Sequence, residues 1–220
     1  ILIPLVLLAS LALFGSLYYL MNSLFNKKSA LVALSLLSVS MIQYRFYWYY
    51  YVKNIFAASL LLCLVVLLKK KSRLAWIVAP ALILLHQPTA ILMVILLLVH
   101  LIFSKEKRFG IATIGITALT FIAYYIPNYQ VTILPFLPTF MKSLLPVFLS
   151  GNFGQESGTF YKLTEAFWYF GTYLPFALYT IWKGKLKENK ELLMLLLTSF
   201  IFSAGVFLSR RFIPFLDLFF

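Results

Sequence analysis

The sequence predicts an all-α protein: a polytopic transmembrane helix bundle of about seven to eight spans plus the start of another, some of them short or re-entrant. Three observations predict it. The 220-residue chain is 63% hydrophobic and only 11% charged, with a mean hydropathy of +0.95, whereas a soluble domain is roughly half apolar and a quarter charged. Apolar runs recur along its whole length. The 19 Lys and Arg residues, which set a net charge of +13, gather in short clusters between those runs.

In chain order the runs fall at about residues 1 to 21, 29 to 43, 54 to 68, 74 to 85, 88 to 103, 109 to 127, 166 to 182 and 192 to 209. Three of them, at about 29 to 43, 54 to 68 and 74 to 85, fall short of the roughly 20 residues that a full crossing needs. They must borrow aromatic flanks, tilt, or be partly re-entrant. Tyr47, Trp48, Tyr49, Tyr50 and Tyr51 supply such a flank, because Tyr and Trp favour the headgroup level.

The basic clusters set orientation. Lys27 and Lys28, then Lys69, Lys70, Lys71 and Arg73, then Lys105, Lys107 and Arg108, then Lys183, Lys185, Lys187 and Lys190 all belong on the cytoplasmic side. Each stretch between clusters must then cross out and back, or enter and return. Residues 29 to 68 form one such pair, turning near Arg45 to Lys53. Residues 74 to 103 form a second, turning near His86, Gln87 and Pro88. The third carries an external loop at about 128 to 165, too long for a plain connection. A short interfacial helix is expected in it from about Leu137 to Leu149. The chain is one transmembrane domain, 1 to 220, and reads as a fragment of a longer protein, starting without Met and stopping as another apolar segment begins.

Several function classes find no motif. The clustered charge is a topology signal rather than a nucleic-acid surface, so no nucleic-acid partner is expected. Cys63 stands alone in an apolar run, which gives neither a disulfide framework nor a metal-ligand spacing. There is no phosphate loop, no His-Glu-x-x-His and no Gly-x-Ser-x-Gly elbow.

The informative residues are the ionisable ones assigned to the extracytoplasmic side: Arg45, Lys53, His86, Glu156, Lys162, Glu165, Arg210, Arg211 and Asp217. Ionisable groups near membrane depth are functional candidates by default. Arg210 and Arg211 run against the positive-inside bias and invite an anion, since the guanidinium fork matches phosphate oxygens in pairs. An interfacial anchor is the plain alternative. Arg45 and Lys53 flank the Tyr/Trp belt, where snorkelling explains them equally well. His86 lies in Leu85-His86-Gln87-Pro88-Thr89, where Pro88 biases the residues before it away from helix. It is either a solvated turn residue or a partner for a phosphate or sugar hydroxyl. His100, deep in an apolar run, reads as an interhelical hydrogen-bond donor.

The order of Gln43-Tyr44-Arg45, Lys53-Asn54, Leu84-Leu85-His86-Gln87-Pro88-Thr89 and Ser209-Arg210-Arg211-Phe212-Ile213-Pro214-Phe215 resembles the multi-span glycosyltransferases of the GT-C superfamily. That resemblance implies a polyprenyl-phosphate sugar donor in a lipid bilayer, with Arg45, His86, Arg210 and Arg211 binding substrate. It implies a catalytic acid in the first external loop, acting as base or metal ligand, which leaves a divalent metal as a compatible cofactor. No acid here matches, so that residue is expected upstream of residue 1. A prokaryotic plasma membrane suits the basic clusters and the lack of Asn-x-Ser/Thr sequons. Two other classes stay open: a secondary transporter or lipid-linked-oligosaccharide flippase, and a polytopic assembly protein without catalysis.

Overall fold

The computed structural model describes residues 2–39, 52–104, 107–132 and 134. Among these there are helices and turns and no strand. The elements are α1 (Leu2–Leu24), α2 (Lys27–Ser38), α3 (Val52–Lys69), α4 (Ala75–Leu85), α5 (Gln87–Phe103), α6 (Lys107–Tyr125) and the single turn α7 (Tyr129–Thr132). Three helices are long and apolar enough to cross a membrane: Ile3–Leu24 within α1, then α3 and α6. The helices α4 and α5 are apolar but shorter.

α3 is the centre of the packing. Its apolar residues run around the whole cylinder, and Ile55, Ala57, Ala58, Leu61, Leu62, Leu64, Val65, Val66 and Leu68 are buried. A helix hydrophobic on every side is a buried one, and α3 packs against α1, α4 and α5. The buried Ser59 hydroxyl donates to the Ile55 carbonyl at 2.8 Å, so that hydroxyl is not left bare in the apolar centre. One continuous core joins Leu13, Leu17 and Leu20 of α1 to Leu82 of α4, Leu92, Met93 and Leu96 of α5, and Tyr125 of α6.

Helix ends fix the directions. Lys69 Nζ, at the C-terminus of α3, donates to the Ser23 carbonyl near the C-terminus of α1 at 2.8 Å. Lys70 Nζ donates to the Tyr19 hydroxyl, also at 2.8 Å, and lies 4.8 Å from that ring's centroid. The helices α1 and α3 therefore run the same way, ending side by side. α2 leaves that end after a turn in which Asn26 Oδ1 accepts from the Ser29 backbone N–H at 2.9 Å, an N-cap that satisfies one of the orphan donors of the first turn.

The basic pair Lys27 and Lys28, expected in a connection, instead opens α2. Cations at a helix N-terminus oppose the macrodipole, so their place there follows from topology rather than from helix stability.

α3 ends in a Schellman motif. The Ser72 N–H reaches back to the Leu67 carbonyl at 2.9 Å and the Lys71 N–H to the Leu68 carbonyl at 3.1 Å. The residue that must turn left-handed is Lys71, with φ of 51°. Glycine usually fills this position, because an L residue there costs about 1–2 kcal/mol.

α4 and α6 run parallel. Trp76, near the start of α4, stacks on Phe109, near the start of α6, with ring centroids 5.8 Å apart. At the far ends the Tyr125 hydroxyl donates to the Ile83 carbonyl at 3.1 Å. α5 runs back between these levels, bringing His100 and Leu101 beside Gly110 of α6. Gly110, Thr113, Thr117 and Tyr125 are the buried residues of α6, and the first three form a small-residue stripe that allows close approach. The hydroxyls of Thr113, Thr117 and Thr120 each donate to the carbonyl four residues back.

His100 occupies the last turn of α5 rather than the deep position its apolar surroundings suggested. A basic side chain there faces the negative end of the helix dipole. The expected interfacial helix at Leu137 to Leu149, the aromatic flank Tyr47 to Tyr51 and the runs at 166 to 182 and 192 to 209 lie outside the described residues.

Candidate functional site

The candidate site is the break between α4 and α5, which contains the one sequence-predicted substrate-binding residue that the structure describes, His86. Arg45, Arg210 and Arg211 lie outside the described residues. Lys53 is exposed in the first turn of α3, at the opposite end of that helix from Lys69.

Pro88 was expected to hold both His86 and Gln87 out of helix. Only His86 is extended, with φ −157° and ψ 111°; Gln87 already begins α5 and Pro88 sits in its first turn. Proline lacks only an N–H that the first turn leaves unpaired anyway, so it starts α5 as readily as it ends α4. The break is thus one residue wide. His86 serves both helices: its N–H donates to the Leu82 carbonyl at 3.1 Å, and its carbonyl accepts from the Ala90 N–H at 3.0 Å.

The imidazole does not cap the backbone of α5. Its Nδ1 lies 2.7 Å from Thr89 Oγ1, and Thr89 is fully buried while His86 is half-buried. This short bond holds the ring over the first turn of α5. Three residues before the break, the Ile83 carbonyl, one of the last of α4, accepts from the buried Tyr125 hydroxyl. Phe121 stacks on Tyr125 at 4.8 Å between centroids, and Tyr124 meets it edge-on at 5.1 Å. An imidazole–hydroxyl pair thus opens α5, while a phenol answers the end of α4.

The depth of the break follows from helix length. α4 has 11 residues, a rise of about 16 Å, roughly half of the ~30 Å hydrocarbon thickness. α5 has 17 residues, about 25 Å, and returns toward the level from which α4 starts. The arms of the hairpin begin and end near Lys69, Lys70, Lys71, Arg73, Lys107 and Arg108, and the break stands away from that cationic end. Among the described residues no group of His, Cys, Asp and Glu is placed to hold a metal ion.

Sequence reasoning singled out His86 but neither Thr89 nor Tyr125. The His-x-x-Thr spacing at a proline-marked helix start was the available signal for Thr89, since residues three apart meet on a first turn. Nothing local pointed to Tyr125, which is 42 residues from Ile83 in sequence. The chain matches no known protein family, no curated protein and no solved structure.

Proposed function

We propose that this chain is part of a multi-pass membrane glycosyltransferase of the prokaryotic plasma membrane, transferring a sugar from a polyprenyl-phosphate donor on the extracytoplasmic side. The observation that carries the reading is the polarity of the described helices. The basic clusters crowd one end, and the imidazole of His86, ordered by Thr89, stands away from them at a helix break. With the basic end cytoplasmic, as the positive-inside bias requires, a headgroup reaching in from the other side meets His86 first.

In this reading an acceptor hydroxyl displaces the lipid phosphate at the anomeric carbon, and Arg210 or Arg211 stabilises the negative charge that develops on the departing phosphate. His86 and Arg45 line the cavity and orient the donor. The test is transfer of radiolabelled sugar from a polyprenyl-phosphate donor by membranes carrying the full-length protein. Arg210→Ala and Arg211→Ala are expected to abolish transfer at normal expression, and His86→Ala to raise KM for the donor. Unchanged turnover in both arginine variants would overturn the assignment.

One observation favours a second reading, a secondary transporter or lipid-linked-oligosaccharide flippase. Transporters build substrate sites from helices broken near mid-membrane, and the arm formed by α4 is about half a hydrocarbon thickness long. Substrate translocation into sealed vesicles without sugar transfer would select it.

A further inference from the structure

The α3–α4 turn carries a feature that neither sugar transfer nor substrate transport requires. Lys70, Lys71 and Arg73 are exposed within four consecutive residues, Lys69 is half-buried just before them, and Lys27, Lys28, Lys107 and Arg108 are exposed at the same end. The helices α2, α3, α4 and α6 contain no acidic residue, the first in the chain being Glu106. Lys69 is engaged with the Ser23 carbonyl, whereas Lys70, whose exposed ammonium has three N–H donors, keeps donors beyond the one given to Tyr19.

Two further observations set this turn apart from the rest of the basic end. The left-handed position of the Schellman motif is held by Lys71, where glycine would be unstrained. The chain thus places a cation at this turn at a conformational cost. The cations also border bare apolar surface: Leu74 is 57% and Ile77 is 66% exposed, three residues apart on one face of α4 directly after Arg73. Trp76 lies between them, stacked on Phe109, with a buried Nε1 that finds no acceptor among the described residues. Tryptophan at such a level is typical of the headgroup boundary.

We infer that the α3–α4 turn is a docking site for an anionic phospholipid. The phosphate sits against Lys70, Lys71 and Arg73, and an acyl chain runs along Leu74 and Ile77. A nucleic acid or an acidic peptide would match the charge but not the apolar strip beneath it; a phospholipid matches both. Basic clusters at the cytoplasmic boundary bind anionic headgroups in this way, and each cation contributes about a fivefold change in affinity.

The experiment uses the full-length protein in detergent, titrated with short-chain phosphatidylglycerol and followed by thermal stability and by native mass spectrometry of bound lipid. Phosphatidylcholine and inorganic phosphate are the comparison ligands. Phosphatidylglycerol is expected to bind and stabilise where the other two do not, and molar sodium chloride is expected to weaken it. The decisive variant is Lys71→Gly, which relieves the backbone and so folds at least as well as the parent. It should lose about fivefold in phosphatidylglycerol affinity while keeping or raising its midpoint without lipid. Arg73→Gln should lose a similar factor, and Lys53→Gln, at the opposite end of α3, should lose nothing. Equal affinity for phosphatidylcholine, an unaltered affinity in Lys71→Gly, or an equal loss in Lys28→Gln would each overturn the site, the last by showing a diffuse attraction over the whole basic end.

Discussion

The Tyr125 hydroxyl donates to the Ile83 carbonyl across 3.1 Å, joining the last turn of α6 to the last turn of α4. The bond follows from the one-residue break at His86. A helix that stops leaves its final carbonyls without next-turn donors, and in an apolar surrounding each such group is costly. A phenol from a neighbouring helix answers that need without disturbing the wall it belongs to. Tyr125→Phe keeps the ring and removes the donor. It is expected to destabilise the protein by about 1–3 kcal/mol, the penalty for a buried acceptor left unmet. Unfolding in detergent micelles or bicelles checks it; a loss below the error of that measurement would mean the carbonyl finds another donor.

The His86 ring is held by the Thr89 hydroxyl at 2.7 Å. Thr89→Val is nearly isosteric and removes only that partner. A loss of about 1 kcal/mol is expected, together with a changed pair of imidazole ¹⁵N shifts in a histidine-labelled sample. Thr89→Ser, which keeps the hydroxyl, should restore the parent spectrum; failure of that rescue would assign the effect to packing.

Gly110 faces the end of α5. A Cβ placed there would lie 3.4 Å from Leu101 Cδ1 and 3.6 Å from His100 Cδ2, the edge of ordinary contact. Gly110→Ala is therefore expected to fit and to gain up to about 1 kcal/mol from helix propensity. Gly110→Leu cannot fit without parting α5 from α6, and an expected loss of about 1–3 kcal/mol follows from overpacking. Thermal midpoints of the two variants should move in opposite directions.

Core truncations should rank by burial rather than by hydrophobicity. Leu62 of α3 is fully buried, whereas Leu119 of α6 is 67% exposed. Leu62→Ala is expected to cost about 2–5 kcal/mol by leaving a cavity. Leu119→Ala removes an exposed side chain and should cost less than about 0.5 kcal/mol. Similar losses at both positions would mean that another part of the chain covers the Leu119 face.

Much of the architecture was legible in the residues themselves. Run length and composition marked the helices, three of them long and apolar enough to cross a membrane, because both depend on local quantities: about 1.5 Å of rise per residue and the transfer preference of each side chain. The basic clusters established which helix ends belong together, and the contacts of Lys69 with Ser23 and of Trp76 with Phe109 agree with that grouping. The sequence also marked His86, through the proline two residues later.

Tertiary structure alone decided the rest. Which helix is central is a matter of how many neighbours surround it, and α3 is no more apolar to the eye than the exposed stretches of α1. That His86 is ordered by Thr89, that Tyr125 serves Ile83, and that Lys71 holds a left-handed turn are relations between atoms brought together by folding or by one unusual backbone angle. Composition and periodicity carry no record of either, since many sequences of the same pattern would place different side chains at those contacts.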